Sequence, residues 1–341
     1  MDARVTRLDP AIAVLARQFV LARLTKIESV DLNHFRFDYD LTWSCFFINA
    51  DLTIYGRYGG RDASGPDARN SLEGLAYAMK RALDSHAAVP KFIDPLPRSK
   101  PFMVRDFKAY ASHGTGCVHC HNIKEMERAD RKALGTWSRD DVYAYPLPDN
   151  VGIILETDRG DMVRHIVPNS AAEKVGLQSG DRITTLANHP IASFADASFA
   201  LDTWKSDKPM PVAWIRGETT HSAMLALARD WRQTNITWRP SLLDLLPAVP
   251  FAPVELTENE RLQLGIASGQ AVFRQGNRVH PSLMVSGLVA GDVVVSIGGK
   301  PIQGTSDDLL GNVRRRHLKG ETVSVNVLRS GRPIELKLLL R

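Results

Sequence analysis

Val175-Gly176-Leu177-Gln178-Ser179-Gly180-Asp181-Arg182-Ile183 returns, 111 positions on (175 to 286), as Ser286-Gly287-Leu288-Val289-Ala290-Gly291-Asp292-Val293-Val294. His189-Pro190-Ile191 and Lys300-Pro301-Ile302 keep the same offset, so a whole unit is duplicated. Ahead of the first copy lies a short run of small residues, Ser170-Ala171-Ala172-Glu173-Lys174, which predicts a helix. Gly176 and Gly180 supply positive φ at two turns, and Asp181 and Asp292 can accept from nearby backbone amides. A strand follows, then a Pro-Ile start to another. The unit closes with a helix (194 to 204; 306 to 316) and a hairpin beginning at Val212-Ala213-Trp214-Ile215-Arg216-Gly217 or at Val323-Ser324-Val325-Asn326-Val327. In the second copy, Val272 to Pro281 stands where the usual strand and turn would be, with His280 read as a turn residue beside its proline.

Gly-Leu-x-x-Gly-Asp-x-Ile/Val, present twice, resembles the signature of bacterial-type PDZ domains. The resemblance implies a groove that takes an extended C-terminal peptide as an added strand, with the carboxylate held by backbone N–H groups. It places the carboxylate loop at Val151-Gly152-Ile153 in the first unit and at Leu264-Gly265-Ile266 in the second. Closed grooves that serve only for packing fit the same residues.

Cys117-Val118-His119-Cys120-His121 carries two of the three cysteines. Cys-x-x-Cys-His is the spacing that attaches a c-type haem, with Cys117 and Cys120 on the vinyl groups and His121 as proximal ligand. His113, His119, Met103 and Met126 are near enough in sequence to supply a further ligand. The same thiols with His121, or with His113 and His119, suit zinc or copper. A redox dithiol and a motif with no cofactor are the remaining readings. Glycines at 114 and 116 make the approach a bend, and Asn122 to Arg128 can start a helix.

Upstream, Ile12, Val14 and Leu15 read as the end of a helix and Phe19 to Leu24 as a short strand. Leu41 to Asn49 and Leu52 to Tyr58 read as a hairpin, and Ser71 as the cap of a helix with apolar Leu72, Leu75, Ala76, Met79 and Leu83. Cys45 reads as a small core residue, and His34 and Arg57 as surface or turn residues. Pro90, Pro95, Pro97 and Pro101 exclude a long helix from the segment that follows. The two Trp-Arg pairs, Trp231-Arg232 and Trp238-Arg239, suit cation–π stacking or a haem-facing role, and read best as anchors of an inter-domain connector.

Taken together, the chain resembles a bacterial family, some of its members selenoproteins, that joins a thioredoxin-like domain to PDZ domains. The residues carrying this are Asp38 to Trp43, Tyr55-Gly56-Arg57-Tyr58-Gly59, the Cys117 to His121 motif and both repeats. It implies an α+β multidomain chain. Residues 1–89 would be a truncated thioredoxin-like domain and 90–148 a linker with the cysteine motif. PDZ domains would occupy 149–229 and 251–341, with a connector at 230–250. The redox cysteine pair and an export signal are expected in a piece upstream of Met1.

Bulk properties narrow the classes. A length of 341 residues predicts two or three domains. Net charge of +5 with no long basic run gives no nucleic-acid signal, and no apolar run nears the ~18 residues of a membrane span. A Gly-x-Ser-x-Gly or Asp-Ser-Gly nucleophile loop of a protease is not seen. The expectation is therefore a periplasmic, or otherwise extracytoplasmic, haem c protein whose PDZ grooves dock a protein partner, of unassigned oligomeric state. A non-enzymatic scaffold and a thiol–disulfide oxidoreductase are the alternatives.

Overall fold

A computed structural model describes residues 2–88, 100–114, 116–206, 208–267, 269–302 and 309–341. Pro90, Pro95 and Pro97 of the expected linker, and the start of the helix expected at 306, lie outside these. The chain divides into two compact units, 1–234 and 235–341.

The first unit begins with helices α1 (Asp2–Thr6) and α2 (Pro10–Ala16). Asp9 caps α2, accepting from the Ala11 N–H at 3.1 Å. Strands β1 (Cys45–Ile48) and β2 (Ile54–Tyr58) form an antiparallel hairpin, and helix α3 (Leu72–Ala87) packs on it. Ser71 caps α3 as its position predicts, its Oγ accepting from Gly74 N–H at 2.9 Å, a bond whose loss costs about 1 kcal/mol. Leu72, Leu75, Met79 and Ala82 make one buried stripe against Ile12, Phe47 and Tyr58. The strand expected at 19–24 does not form: Val20 is 99% exposed, and Leu21 and Leu24 are exposed with it, so no partner sheet takes up their backbone groups. Among the described residues β1 and β2 are a two-stranded sheet, which gives the thioredoxin-like expectation no support. Cys45 lies against the α3 core, and burial pushes its thiol up to about 12, as a core role requires. Helix α4 (Cys120–Ala133) follows two short 3-10 turns.

The rest of the first unit is the first copy of the repeat. It comprises β3 (Ile153–Leu155), β4 (Val163–Ile166), α5 (Ala171–Lys174), β5 (Arg182–Leu186), β6 (His189–Pro190), α6 (Phe194–Thr203), β7 (Met210–Arg216) and β8 (Thr219–Leu225). β3 pairs with β4, and the other strands run β6-β5-β7-β8. Alternate residues of β7 (Met210, Val212, Trp214) enter a core shared with Ile183, Leu186, Ala197, Ala200 and Leu201, the period-two pattern of a half-buried strand.

The second unit comprises β9 (Pro253–Val254), α7 (Glu258–Gln263), β10 (Phe273–Gln275), α8 (Pro281–Met284), β11 (Val293–Ile297), β12 (Lys300–Pro301), α9 (Leu309–Arg316), β13 (Thr322–Arg329) and β14 (Arg332–Leu339), and from β10 on it repeats the order of the first copy from β4 on. Its sheet runs β14-β13-β11-β10-β9, with β12 on β11. A strand does form at Phe273–Gln275, where the sequence departs from the repeat, because Phe273 is buried against Val294 and Val327. His280 caps α8, accepting from Ser282 N–H at 3.3 Å. Gly176 and Gly180 have φ of 83° and 87°, and Gly287 and Gly291 repeat them at 86° and 85°. The duplication read from sequence is thus a duplication of backbone shape.

Candidate peptide-docking site

β9 is the last strand of the second unit's sheet, hydrogen-bonded to β10 on one side and, among the described residues, to no strand on the other. An unpaired edge offers backbone groups to an incoming strand, and in this short one Pro253 supplies a carbonyl but no N–H. The loop before it is held from several directions. Ala248 N–H donates to Arg341 O at 2.6 Å and Gly276 N–H to Ala252 O at 2.8 Å. Gln275, fully buried, accepts from Ala252 N–H at 3.3 Å and donates to Arg278 O at 2.9 Å. Leaving such an amide unbonded would cost roughly 1–3 kcal/mol, so Gln275 fixes the loop rather than filling space.

Apolar surface and positive charge meet at this edge. Phe251 lies edge-on to Phe273 at 5.3 Å between ring centres. Arg314, in the last turn of α9, donates to Pro247 O at 3.0 Å, which ties the basic end of that helix to the loop. α9 buries only Leu309 and Val313, and Arg315 is exposed. The second unit therefore has a free strand edge, a partly open helix, an aromatic floor and arginines where a carboxylate would be neutralised.

The loop expected from the sequence, Leu264-Gly265-Ile266, follows α7. Leu264 caps the C-terminus of α7, Gly265 takes φ of 65°, and Ile266 is buried with Leu256, Val272 and Val293. These residues close a helix and enter no strand. In the first unit the expected loop leads into a strand. Val151 is buried, Gly152 has φ of 93°, and Ile153 opens β3. The neighbouring Asn150 is engaged, its Nδ2 donating to Trp231 O at 2.8 Å.

The cysteine motif is divided between two environments. Val118, Ile123 and Met126 pack with Leu32, Tyr39 and Val104, and Cys120 lies against that cluster, where burial raises its thiol pKa. Cys117 is exposed on the other side of the bend. A reactive thiolate needs the opposite shift. His121 Nδ1 lies 2.8 Å from Glu125 Oε1. His119 stacks parallel to His121 at 5.9 Å. Met103 Sδ accepts from Arg105 Nη2 at 3.1 Å, Met126 is buried in the cluster, and His113 is half-buried. Among the described residues no group of three or more His, Cys, Asp or Glu side chains is arranged to hold a metal. Sequence reasoning also missed Arg57, read as a surface or turn residue: it is 7% exposed, its guanidinium 3.6 Å from the Phe199 ring centre. The Trp-Arg pairs do stack, Arg232 5.0 Å from Trp231 and Arg239 4.3 Å from Trp238.

Residues 271–340 match the PDZ domain family and form such a domain. The chain is 25% identical over 181 residues to a Haemophilus influenzae protein described as a probable periplasmic serine protease, do/HhoA-like, covering 51% of this chain and 34% of that one. It is 35% identical over 82 residues to the periplasmic serine endoprotease DegP of Escherichia coli, covering 24% and 15%. The chain thus spans about a third, or less, of the length of these relatives. A solved structure described as the HtrA-type protease AlgW with decapeptide is similar over 41% of this chain and 52% of its own, at 15% identity and a TM-score of 0.24. These relatives overturn the haem and redox reading of the chain: what it is similar to are proteins described as periplasmic serine proteases.

Proposed function

We propose that the chain is an extracytoplasmic peptide-docking protein whose second PDZ domain receives an extended peptide, by its C-terminus, as a strand added to β9. The observation that carries this is the edge of β9 that, among the described residues, pairs with no strand, with Arg314 of α9 bonded to the loop before it. The β9 backbone supplies register, half-buried Phe251 takes an apolar terminal side chain, and the arginines at the end of α9 balance its carboxylate. The extracytoplasmic location was first inferred from the haem motif. That premise falls, and the location rests instead on relatives described as periplasmic. By this reading the chain recognises protein termini, as a docking or regulatory partner of proteolysis.

The test is a selection of random decapeptides with free C-termini against the full chain. The best binder is then compared with its C-terminally amidated form and measured on Phe251→Glu and Ala195→Glu. Amidation and Phe251→Glu should each weaken binding tenfold or more, about 1.4 kcal/mol. Ala195→Glu, on α6 of the first unit, should leave it unchanged. Equal binding by the amidated peptide and by Phe251→Glu would refute the reading.

A further inference from the structure

The two copies of the repeat differ at their long helices. In α9 only Leu309 and Val313 are buried, whereas α6 is buried at Phe194 and at every position from Asp196 to Asp202. A helix on the outside of a sheet normally leaves a polar face to water, so something of the same unit covers this one. The cover is strand β2. Arg57 N–H donates to Asp196 Oδ1 at 2.8 Å, and Ser193 Oγ donates to Arg57 O at 2.5 Å. One residue of an extended strand is therefore held by both of its backbone groups, through the cap and first turn of α6. Its guanidinium lies 3.6 Å from the Phe199 ring centre, 5.6 Å from that of Phe46, and donates through Nε to Arg36 O at 3.1 Å.

Two further contacts brace the ends of α6. The β3–β4 turn abuts the start of α6 so tightly that a Cβ on Gly160 would come 2.7 Å from Ser193 Cα. At the other end, Arg232 Nη1 donates to Leu201 O at 3.1 Å and Trp204 O at 3.0 Å, and Nη2 to Asp202 Oδ1 at 3.0 Å. The neighbouring Trp231 O takes the Asn150 amide of the loop before β3.

We propose that the first repeat unit is an internal receptor: α6 binds the chain's own strand β2, with Arg57 as anchor, and is thereby closed to peptides from outside. The inference rests on the two units being copies of one fold. It does not depend on the second unit binding peptides, since its readout lies wholly in the first. A unit closed this way would ligate extended segments of the Tyr-Gly-Arg-Tyr kind, presented by backbone and one planar cation.

The test is hydrogen–deuterium exchange of the full chain, followed by mass spectrometry. Wild type is compared with Arg57→Ala and Ser193→Ala, with and without a synthetic peptide of residues 52–60. In wild type, residues 193–203 should be as protected as 182–186 and indifferent to the peptide. In Arg57→Ala, exchange at 54–58 and 193–203 should rise together, tenfold or more, with 182–186 and 322–339 unchanged. The peptide should restore protection at 193–203, and the same peptide with alanine in place of its arginine should not. If Arg57→Ala also releases 182–186, the unit has unfolded, and Ser193→Ala, which removes one hydroxyl, gives the reading through a smaller joint rise at the same two segments. Release of 54–58 without 193–203, no rescue by the peptide, or equal rescue by the alanine peptide would overturn the proposal.

Discussion

Arg329 forks onto Asp292, Nε to Oδ1 and Nη2 to Oδ2 at 2.8 Å each, and its Nη2 also reaches Gly287 O at 2.7 Å. Arg216 makes the same three bonds to Asp181 and Gly176, each at 2.7 Å. Both carboxylates also accept from the loop, Asp181 from Gln178 N–H at 2.8 Å and Asp292 from Val289 N–H at 3.0 Å. The fork locks the Gly-Asp turn to the closing hairpin in each copy. Arg329→Ala strands the buried Asp292 carboxylate and should lower the melting temperature of the second unit. Arg329→Lys, which cannot bond both oxygens in one plane, should fall between. Thermal unfolding followed by circular dichroism checks the order, and equal melting of the three proteins would refute it.

Ser71 closes the start of α3, and Tyr58 brackets it, donating to Ser71 O at 2.8 Å and accepting from Ser71 N–H at 2.9 Å. Ser71→Ala removes only the cap bond to Gly74. It should cost about 1 kcal/mol of first-unit stability in urea titration, with no change in denaturant slope.

Asp196 sets a pH dependence. Burial pushes its carboxyl up to about 6, against the opposing pull of the Arg57 charge and of hydrogen bonds from the Arg57 and Ala192 amides. Between about pH 4 and 6 the folded chain then binds a proton that the unfolded chain lacks. The contribution of this group to stability is largest below that window and falls as pH rises through it, by on the order of 3 kcal/mol at ~1.4 per unit. Asp196→Asn should lose this slope. Urea titrations of the two proteins at pH 4, 5, 6 and 7 should diverge across the window, and parallel curves would exclude the assignment.

The cysteine motif should prove dispensable. Cys117→Ser, at an exposed position, should shift stability by no more than ~0.5 kcal/mol. Cys120→Ser places a hydroxyl against the Ile123–Met126 cluster and should cost roughly 1 kcal/mol. Peptide docking by both variants should equal that of wild type when titrated by fluorescence anisotropy.

What the sequence made legible is what rests on local rules. The 111-residue offset, the Gly-Asp turns and the Ser71 cap are each written in a few adjacent residues. The Phe19 to Leu24 reading failed because a short apolar run shows a strand only when a neighbour pairs with it. Arg57 was passed over because its partners, Ser193 and Asp196, lie more than a hundred positions away. A fixed spacing led to the haem reading, although spacing says nothing about which side of a helix is already packed.

The most direct measurement is the footprint of a selected C-terminal peptide on the full chain by hydrogen–deuterium exchange. Protection confined to residues 247–254 and 309–316 is the predicted result. Protection at 151–155 and 194–203, or along the helix that begins at Cys120, would contradict the account.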